Sequence, residues 1–365
     1  MKLSHPVVLL FGAGATRGGL QNYIVPPPVD SDFFEIAGQI KGHGTPGLAR
    51  KVLGDVRNLY GRIFGIGLEN YYKDIETRAK ISRFAKSANK PKDWKKRQRN
   101  LEEFIRRVII HTTCSTTANH LAPLKSRCHT RILRKLKSGD CIVTFNYDLL
   151  IEESFETTEA WTPVGGYGDA VHGVRTGWCK NWLEERGGNI STRTKIRLLK
   201  LHGSVNWALY KTNEIRLKDR PFVVRTRGQS AVFETVSILP PGLNKRIDKN
   251  PYKQLWREAR LKLEKCKTII ILGYSLPEAD LLAKALFTEV VRLRAARKRF
   301  VKQLHLADPN DSVKQRFVDL FVPALNAQSK VFRYKNIGEF SAMQDRSIVG
   351  GVPSDQGEED EGDSN

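Results

Sequence analysis

The stretch HPVVLLF, His5–Phe11, runs directly into GAGATRGG, Gly12–Gly19. A short apolar run without interruption is typical of a strand buried on both faces of a parallel sheet. Glycines after such a strand permit a tight turn into a helix, where backbone amides can approach a phosphate group closely. The stretch predicts the first strand of an α/β domain and a candidate phosphate loop. A tight turn without a ligand is the alternative interpretation.

This glycine loop departs from the usual dinucleotide-binding fingerprint. The third glycine of the fingerprint is replaced by Arg17, and glycines follow at positions 18 and 19. An acidic residue at the end of a second strand, about 20 residues further on, is also missing. Both departures disfavour an ordinary nicotinamide-dependent dehydrogenase.

Four more short apolar runs each end in polar or glycine-containing residues. They are Cys141–Phe145 before Asn146-Tyr147-Asp148, Ile196–Leu201 before His202-Gly203-Ser204, Thr268–Leu272 before Gly273-Tyr274-Ser275, and Gln303–Ala307 before Asp308-Pro309. Ligands of open parallel sheets bind outside the carboxyl ends of the strands, so these residues are predicted to line one crevice. The predicted fold is α/β, a Rossmann-like doubly wound parallel sheet.

Two other regions complete the predicted organisation. After Pro26-Pro27-Pro28, apolar residues recur at helical spacing, which predicts a helical insertion at about 32–137 within a domain spanning 1–340. Asp355–Asn365 carries six acidic residues and no basic one. A like-charged block of low hydrophobicity predicts a flexible, disordered acidic tail, placed at 341–365.

Composition limits the class of protein. The 365 residues are 40% apolar, enough for one large core, and no run approaches the roughly 20 apolar residues of a membrane span. The five cysteines include no C-x-x-C pair, so neither a disulfide framework nor a zinc site is expected. These features predict a cytoplasmic protein that binds no metal and no membrane.

The formal net charge is +22, and the basic residues are unevenly distributed. Residues 79–100 alone hold nine Lys or Arg against one acid, Asp93. Such an excess attracts polyanions, so a nucleic-acid contact through the basic surface is one interpretation, and an acidic protein surface is another. Solvated helix faces without a partner are the third.

The ordered blocks resemble a known family. Gly12-Ala-Gly-Ala, Thr144-Phe-Asn-Tyr-Asp148, Leu201-His-Gly203, Gly273-Tyr-Ser-Leu276 and Ala307-Asp-Pro309 are similar to the sirtuin-like (SIR2-like) domain of prokaryotic antiphage NADases. The resemblance covers roughly residues 5 to 310. It implies an NAD+ hydrolase, a regulated effector of antiviral defence that cleaves the nicotinamide–ribose bond to give nicotinamide and ADP-ribose.

The resemblance also implies roles for individual residues. Asn146 would stabilise the sugar cation or position a water, and His202 would act as general base. NAD, the substrate, would be bound by Gly12, Ala13, Gly14, Asp148, Gly273, Ser275 and Asp308. The implied partners are further copies of the chain in a homo-oligomer and a HerA-type ATPase or an Argonaute-like protein.

Each role has a simpler alternative that the sequence leaves open. Asn146, Asp148 and Asp308 are typical of turns held by their own side chains, and His202 could be a buried structural histidine. Ser275 is predicted to cap a helix, with Pro277 in its first turn and Glu278 completing a capping box.

The chain also departs from sirtuin deacetylases. It has no zinc module with two C-x-x-C pairs, the I-P-D-F-R stretch after the glycine loop is replaced by a Pro-rich segment, and Phe145 stands in place of a glutamine. These departures favour hydrolysis over protein deacylation. A module that senses NAD or ADP-ribose without turnover and a sirtuin-type deacylase are the remaining alternatives.

Overall fold

The computed structural model describes residues 2–20, 23–40, 46–61, 65–82, 91–117, 120–155, 160–168, 171, 195–209, 215–217, 235–239 and 247–345. The strands are β1 (Val7–Phe11), β2 (Cys114–Thr117), β3 (His120–Pro123), β4 (Cys141–Thr144), β5 (Arg197–Lys200), β6 (Gly203–Leu209), β7 (Ile215–Leu217), β8 (Thr235–Ile238), β9 (Thr268–Leu272), β10 (Gln303–Ala307) and β11 (Lys330–Tyr334).

The helices alternate with the strands of the main sheet and also fill the long connection after β1. They are α1 (Ala13–Gly19), α2 (Phe33–Gln39), α3 (Pro46–Tyr60), α4 (Leu68–Ile81), α5 (Pro91–Thr113), α6 (Arg127–Leu133), α7 (Leu150–Ser154), α8 (Pro163–Gly166), α9 (Tyr252–Lys265), α10 (Leu281–Ala296), α11 (Asp311–Phe321) and α12 (Ile337–Asp345). Within the described residues, no helix is both long and apolar enough to cross a membrane.

The predicted doubly wound sheet is confirmed. Six strands form one sheet in the order β11-β10-β9-β1-β4-β5, and every neighbouring pair is parallel. The chain winds from β1 through β4 to β5 on one side and from β9 through β10 to β11 on the other. The direction of winding therefore reverses between β1 and β9, which is where open α/β sheets form their ligand crevice.

Helices cover the sheet on both faces. Helices α1, α6, α7 and α12 contact one another, and α9, α10 and α11 form a second contacting group. All residues of β1, β4 and β9 are buried, as expected for parallel strands between two helical layers. Burial of a Leu, Ile or Val side chain contributes about 1.5–3 kcal/mol, so these apolar strands are the main source of the sheet's stability.

The predicted helical insertion contains helices α2 to α5, which have a core of their own. Phe34, Tyr71 and Phe104 are among its buried residues. The helical pattern is interrupted before 137, because β2 and β3 pair as antiparallel strands. Helix α6 packs with α1 and α7 against the main sheet, and its Ile132 and Leu133 belong to the main core.

The structure differs from the prediction in two further features. Strands β7, β6 and β8 form a small antiparallel sheet directly after His202. The predicted tail boundary at 341 falls inside α12, where Ser341 and Gln344 are buried. Residues 346–365, which include the acidic block, lie outside the described residues.

Candidate functional site

The turn after β1 packs directly on the turn after β9. The Gly14 N–H donates to the Gly273 carbonyl at 2.9 Å, and the Gly12 N–H donates to Leu272 O at 3.0 Å. A Cβ on Gly12 would lie 2.4 Å from the Gly273 oxygen, and one on Gly273 would lie 2.1 Å from the Ala15 nitrogen. Because Gly273 also has φ +57°, a side chain is excluded there both by space and by backbone conformation. Close packing alone thus requires these glycines.

Asn146, at the end of β4, is fixed by the neighbouring turn. Its Nδ2 donates to the Gly12 carbonyl and to Thr16 Oγ1, both at 2.9 Å. A carbonyl oxygen can only accept, so the nitrogen must face Gly12 and the orientation of the amide is determined. No residue of the described ranges donates to Asn146 Oδ1, which leaves that oxygen available to a ligand.

Asp148 holds Asn146 indirectly. Its Oδ2 accepts from the Thr16 hydroxyl at 2.9 Å, and its Oδ1 accepts from the Leu150 N–H at 3.0 Å. Thr16 in turn accepts from Asn146, so the three side chains form one chain of hydrogen bonds. Both carboxylate oxygens of buried Asp148 therefore hold protein groups, in the turn geometry that the sequence left as an alternative.

His202, at the end of β5, is buried among aromatic rings. Phe145 packs edge-on against it with 4.9 Å between ring centroids, and Tyr147 and Trp256 lie at 6.2 and 6.3 Å. Its backbone carbonyl accepts from the Leu239 N–H at 2.7 Å, which ties it to the residue following β8. The small antiparallel sheet and the aromatic rings therefore fix His202 beside the β4 turn that carries Asn146.

The sequence interpretation missed the acidic partner of His202. Asp280 Oδ2 lies 3.7 Å from His202 Nε2, and it accepts from the Tyr274 hydroxyl at 3.1 Å. Asp280 is 2% exposed. A carboxylate at this distance stabilises positive charge on the imidazole when the ring takes up a proton.

Asp280 also replaces Ser275 as the helix cap. The predicted capping box at Ser275 is wrong, because α10 begins only at Leu281 and Asp280 Oδ1 accepts from the Ala283 N–H. Residues 273–280 instead form an irregular turn, with Leu276 at φ +52°. Ser275 is exposed, and its carbonyl accepts from Arg316 at 2.8 Å.

Asp308 lies beside the glycine turn, on the next strand. The Gly273 N–H donates to Ala307 O at 2.9 Å, which brings the ends of β9 and β10 together. Asp308 Oδ1 accepts from the Asn310 N–H, the turn contact that was its alternative interpretation. Burial raises the pKa of this carboxyl above its usual value, the change expected where water is partly excluded.

Arg17, the residue that breaks the fingerprint, turns away from this arrangement. It donates to the Pro27 carbonyl at 2.8 Å and pairs with Asp32, so it ties α1 to the start of the helical insertion. The Pro-rich segment is thereby held against α1.

These contacts bring most of the predicted site residues together. The Gly12 turn contacts Gly273 and Asn146, Phe145 stacks on Tyr274 at 4.5 Å, and Tyr274 reaches His202 through Asp280. The group offers a free amide oxygen and a histidine–carboxylate pair at the carboxyl ends of the strands, on the same edge of the sheet as the switch point. Among the described residues, no group of His, Cys, Asp and Glu side chains has the arrangement of a metal site.

Comparison with known proteins gives a family match and matches to solved structures. A family model described as a SIR2-like domain matches residues 140–319. No curated protein sequence matches the chain. A crystal structure of a Sir2 homologue in complex with NAD is 15% identical, covers 94% of this chain and 88% of its own, and has a TM-score of 0.42. A Sir2 complex with a p53 peptide and NAD+ is 13% identical, with coverages of 94% and 95% and a TM-score of 0.39. Residues 140–319, from the start of β4 into α11, are thus similar to a SIR2-like domain.

Proposed function

We propose that the chain is an NAD+ hydrolase that cleaves the nicotinamide–ribose bond and releases nicotinamide and ADP-ribose. The observation that carries the proposal is the meeting of Asn146, with its free amide oxygen, and the His202–Asp280 pair at the ends of neighbouring strands. The SIR2-like match supports NAD as the substrate. The switch point of the sheet supports this crevice as the place where it binds.

The chemistry needs few protein groups. In NAD+ the nicotinamide ring is a cationic pyridinium, and it departs from the ribose as a neutral molecule. No general acid is therefore required to protonate the leaving group. The ribose carbon becomes electron-poor, as in glycoside hydrolysis, and a fixed amide oxygen such as Asn146 Oδ1 stabilises it or orients the attacking water. Water adds to that carbon, and its proton must be taken up by a base.

His202 is the base in this proposal, and Asp280 is a positioning residue. As His202 accepts the proton of the water, Asp280 balances the new positive charge across 3.7 Å. The edge of the Phe145 ring and the buried environment keep bulk water away from the imidazole. Thr16 and Asp148 act one step further out, because they hold the amide of Asn146.

The remaining predicted residues would bind the rest of the dinucleotide. Gly12, Ala13, Gly14 and Gly273 form the closely packed turns where only backbone is presented, which suits the pyrophosphate. Ser275 and Asp308 stand at the ends of β9 and β10, and they would contact the adenosine ribose. The antiphage role, the oligomeric state, and the ATPase or Argonaute-like partner stay predictions from the resemblance.

The test is separation of the products of NAD+ incubated with the purified full-length chain. We expect nicotinamide and ADP-ribose from the wild type. Loss of a single stabilising or base group costs about 10²- to 10³-fold in rate, so Asn146→Ala and His202→Ala should each lose nearly all turnover. Asn326→Ala and His111→Ala, the same residue types at exposed positions, are the matched controls and should retain it.

Other outcomes would contradict the proposal in different ways. Bound but intact NAD+ would indicate a sensing module. Turnover that requires an acyl-lysine peptide would indicate a deacylase. Equal activity in the wild type and both site variants would remove Asn146 and His202 from the mechanism.

A further inference from the structure

The segments that lead into the six parallel strands meet at the end of the sheet opposite the proposed crevice. They are residues 2–6, 134–140, 195–196, 265–267, 297–302 and 322–330, and together they are called the amino edge here. Backbone contacts join them from strand to strand. Lys267 N–H donates to Pro6 O at 2.8 Å, Lys302 N–H to Lys267 O at 2.8 Å, and Lys330 N–H to Lys302 O at 2.9 Å.

The amino edge is almost uniformly basic. Its twelve basic residues are Lys2, Arg134, Lys135, Lys137, Lys195, Lys265, Lys267, Arg297, Lys298, Arg299, Lys302 and Lys330, against the single acid Asp140. All of the twelve except Lys135 are exposed. At least one Lys or Arg therefore lies at or just before the start of every strand of the sheet.

The single acid does not neutralise this surface. Asp140 is 1% exposed and holds the Val7 and Lys137 N–H groups and the His5 ring. Glu264, just before the edge in the chain, is also buried and pairs with Arg260, Arg297 and Arg299. One carboxylate shared by three guanidinium groups leaves a net positive charge, and the exposed lysines add to it.

Closely spaced like charges repel one another, so such a surface gains free energy when a polyanion neutralises it. Six strands about 4.8 Å apart span about 24 Å. That length faces about seven base pairs of a duplex, whose backbone carries one charge per roughly 1.7 Å of helix axis. The edge thus matches a regular linear array of phosphates in both charge and length.

The side chains of the edge favour a phosphate backbone over a protein partner. The cores of protein interfaces are depleted in lysine and rely on aromatic or apolar anchors, whereas Val322 is the one large apolar side chain among the described edge residues that is strongly exposed. Stacking platforms for unpaired bases need exposed aromatic rings, and Phe300 is only partly exposed. We propose that the amino edge binds the phosphate backbone of duplex nucleic acid, without sequence preference and independently of the proposed hydrolytic site.

The test is binding of a labelled random-sequence duplex to the full-length chain at several salt concentrations, with fluorescence anisotropy as the readout. The edge variant combines Lys267→Gln, Lys302→Gln and Lys330→Gln. The matched control combines Arg50→Gln, Lys51→Gln and Arg57→Gln on exposed positions of α3, and it removes the same charge. Thermal unfolding checks that both variants fold, and the single change Lys302→Gln replaces the edge variant if that variant does not.

The slope of log affinity against log salt is negative, and each lost phosphate contact makes it shallower by about 0.9. We expect the edge variant to lose up to about three such contacts and more than about tenfold in affinity at 0.1 M salt, while the control changes little. Equal losses in both variants would reduce the effect to net charge and overturn the proposal. Binding of polyglutamate but not of duplex would overturn it in favour of an acidic protein.

Discussion

The two ends of the central sheet are built in opposite ways. At the carboxyl end, Asn146, His202 and Asp280 are at least partly buried, and each contacts at least one other residue of the site. At the amino edge, exposed Lys and Arg side chains stand side by side over nearly the whole width of the sheet. The segments between each strand of this sheet and the next element contain four acids, Asp148, Glu278, Asp280 and Asp308, and one Lys or Arg, Lys335.

This difference separates two ways of using a surface. The hydrolysis proposed for the carboxyl end would depend on precise placement of polar atoms, each of which is fixed by one or two neighbours. The binding proposed for the amino edge would depend on the number of charges and would tolerate movement of any one of them. Changes at the first end should therefore have steep, geometry-dependent effects, whereas changes at the second should be small and screened by salt.

The largest difference in unfolding free energy is expected between alanine substitutions of two glycines, one at each end of the sheet. Gly273→Ala forces a Cβ to 2.1 Å from the Ala15 nitrogen at φ +57°, whereas a Cβ on Gly139, at φ +91°, would have no neighbour within 4 Å. Gly139→Ala should cost only about 1 kcal/mol of unfolding free energy, from backbone strain. Gly273→Ala should cost more than about 3 kcal/mol, because backbone atoms must move apart as well. Urea unfolding measures both free energies. Equal losses would contradict the prediction, because they would mean that the two turns tolerate a side chain equally well.

The next largest effect is expected from the partner of His202. Asp280→Asn keeps a residue suited to cap α10 but removes the negative charge beside the imidazole. We expect kcat for NAD+ hydrolysis to fall about 10- to 100-fold with little change in KM. The pH–rate profile should shift as well, which a purely structural role would not produce.

Tyr274→Phe is the matched control for Asp280→Asn. It removes the hydroxyl that donates to Asp280 and leaves the carboxylate in place. A small loss of kcat is expected, smaller than that of Asp280→Asn. If Tyr274→Phe lowers kcat more than Asp280→Asn does, Asp280 has no electrostatic role in the reaction.

A separate effect on stability is expected when the pH is lowered. His129 stacks on Phe11 at the carboxyl end of β1, and burial lowers its pKa to about 3. The unfolded chain takes up the proton below a pKa of about 6.5 and the folded chain does not, so stability is complete above that value and falls as the pH falls. From pH 7 to 5 the loss should be about 2 kcal/mol.

His129→Phe keeps a ring on Phe11 and removes the titrating group. Urea unfolding at pH 7 and pH 5 should therefore show a flatter pH dependence in this variant. His305, whose pKa burial lowers to about 4, contributes in the same direction and stays in both proteins. An unchanged pH dependence would mean that His129 contributes nothing to acid sensitivity.

The sequence was most informative where structure is local and buried. The bounds predicted for β9 and β10 are confirmed, because short runs rich in apolar residues that end at a glycine or an aspartate leave little choice. Strand β11 was not predicted, since it lies at the edge of the sheet and only Tyr334 of its five residues is buried. The hairpin β2–β3 was not predicted, because it lies inside the region at about 32–137 that was predicted as a helical insertion.

The sequence named residues of the candidate site and predicted that they line one crevice, but it did not predict the contacts between them. The resemblance pointed to Asn146 and His202, whereas the pairing of His202 with Asp280 joins residues far apart in the chain. The local signal at 275–278 even favoured the wrong cap, because Ser-x-Pro-Glu fits a helix start as well as the true Asp280. The amino edge has no motif at all, since its cations come from six separate segments and only the sheet order unites them.

The pairing of β1 with β9 also fixes when the proposed crevice can form during synthesis. Val7 and Thr268 are aligned partners although 260 residues lie between them. At about 5–20 residues per second, β1 waits roughly 13–50 s for the strand that completes its turn. A nascent chain up to the end of β8 lacks Gly273 and Asp280. If the proposed activity consumes NAD+, each molecule is harmless until β9 and the Asp280 that follows it have been made and have folded beside β1.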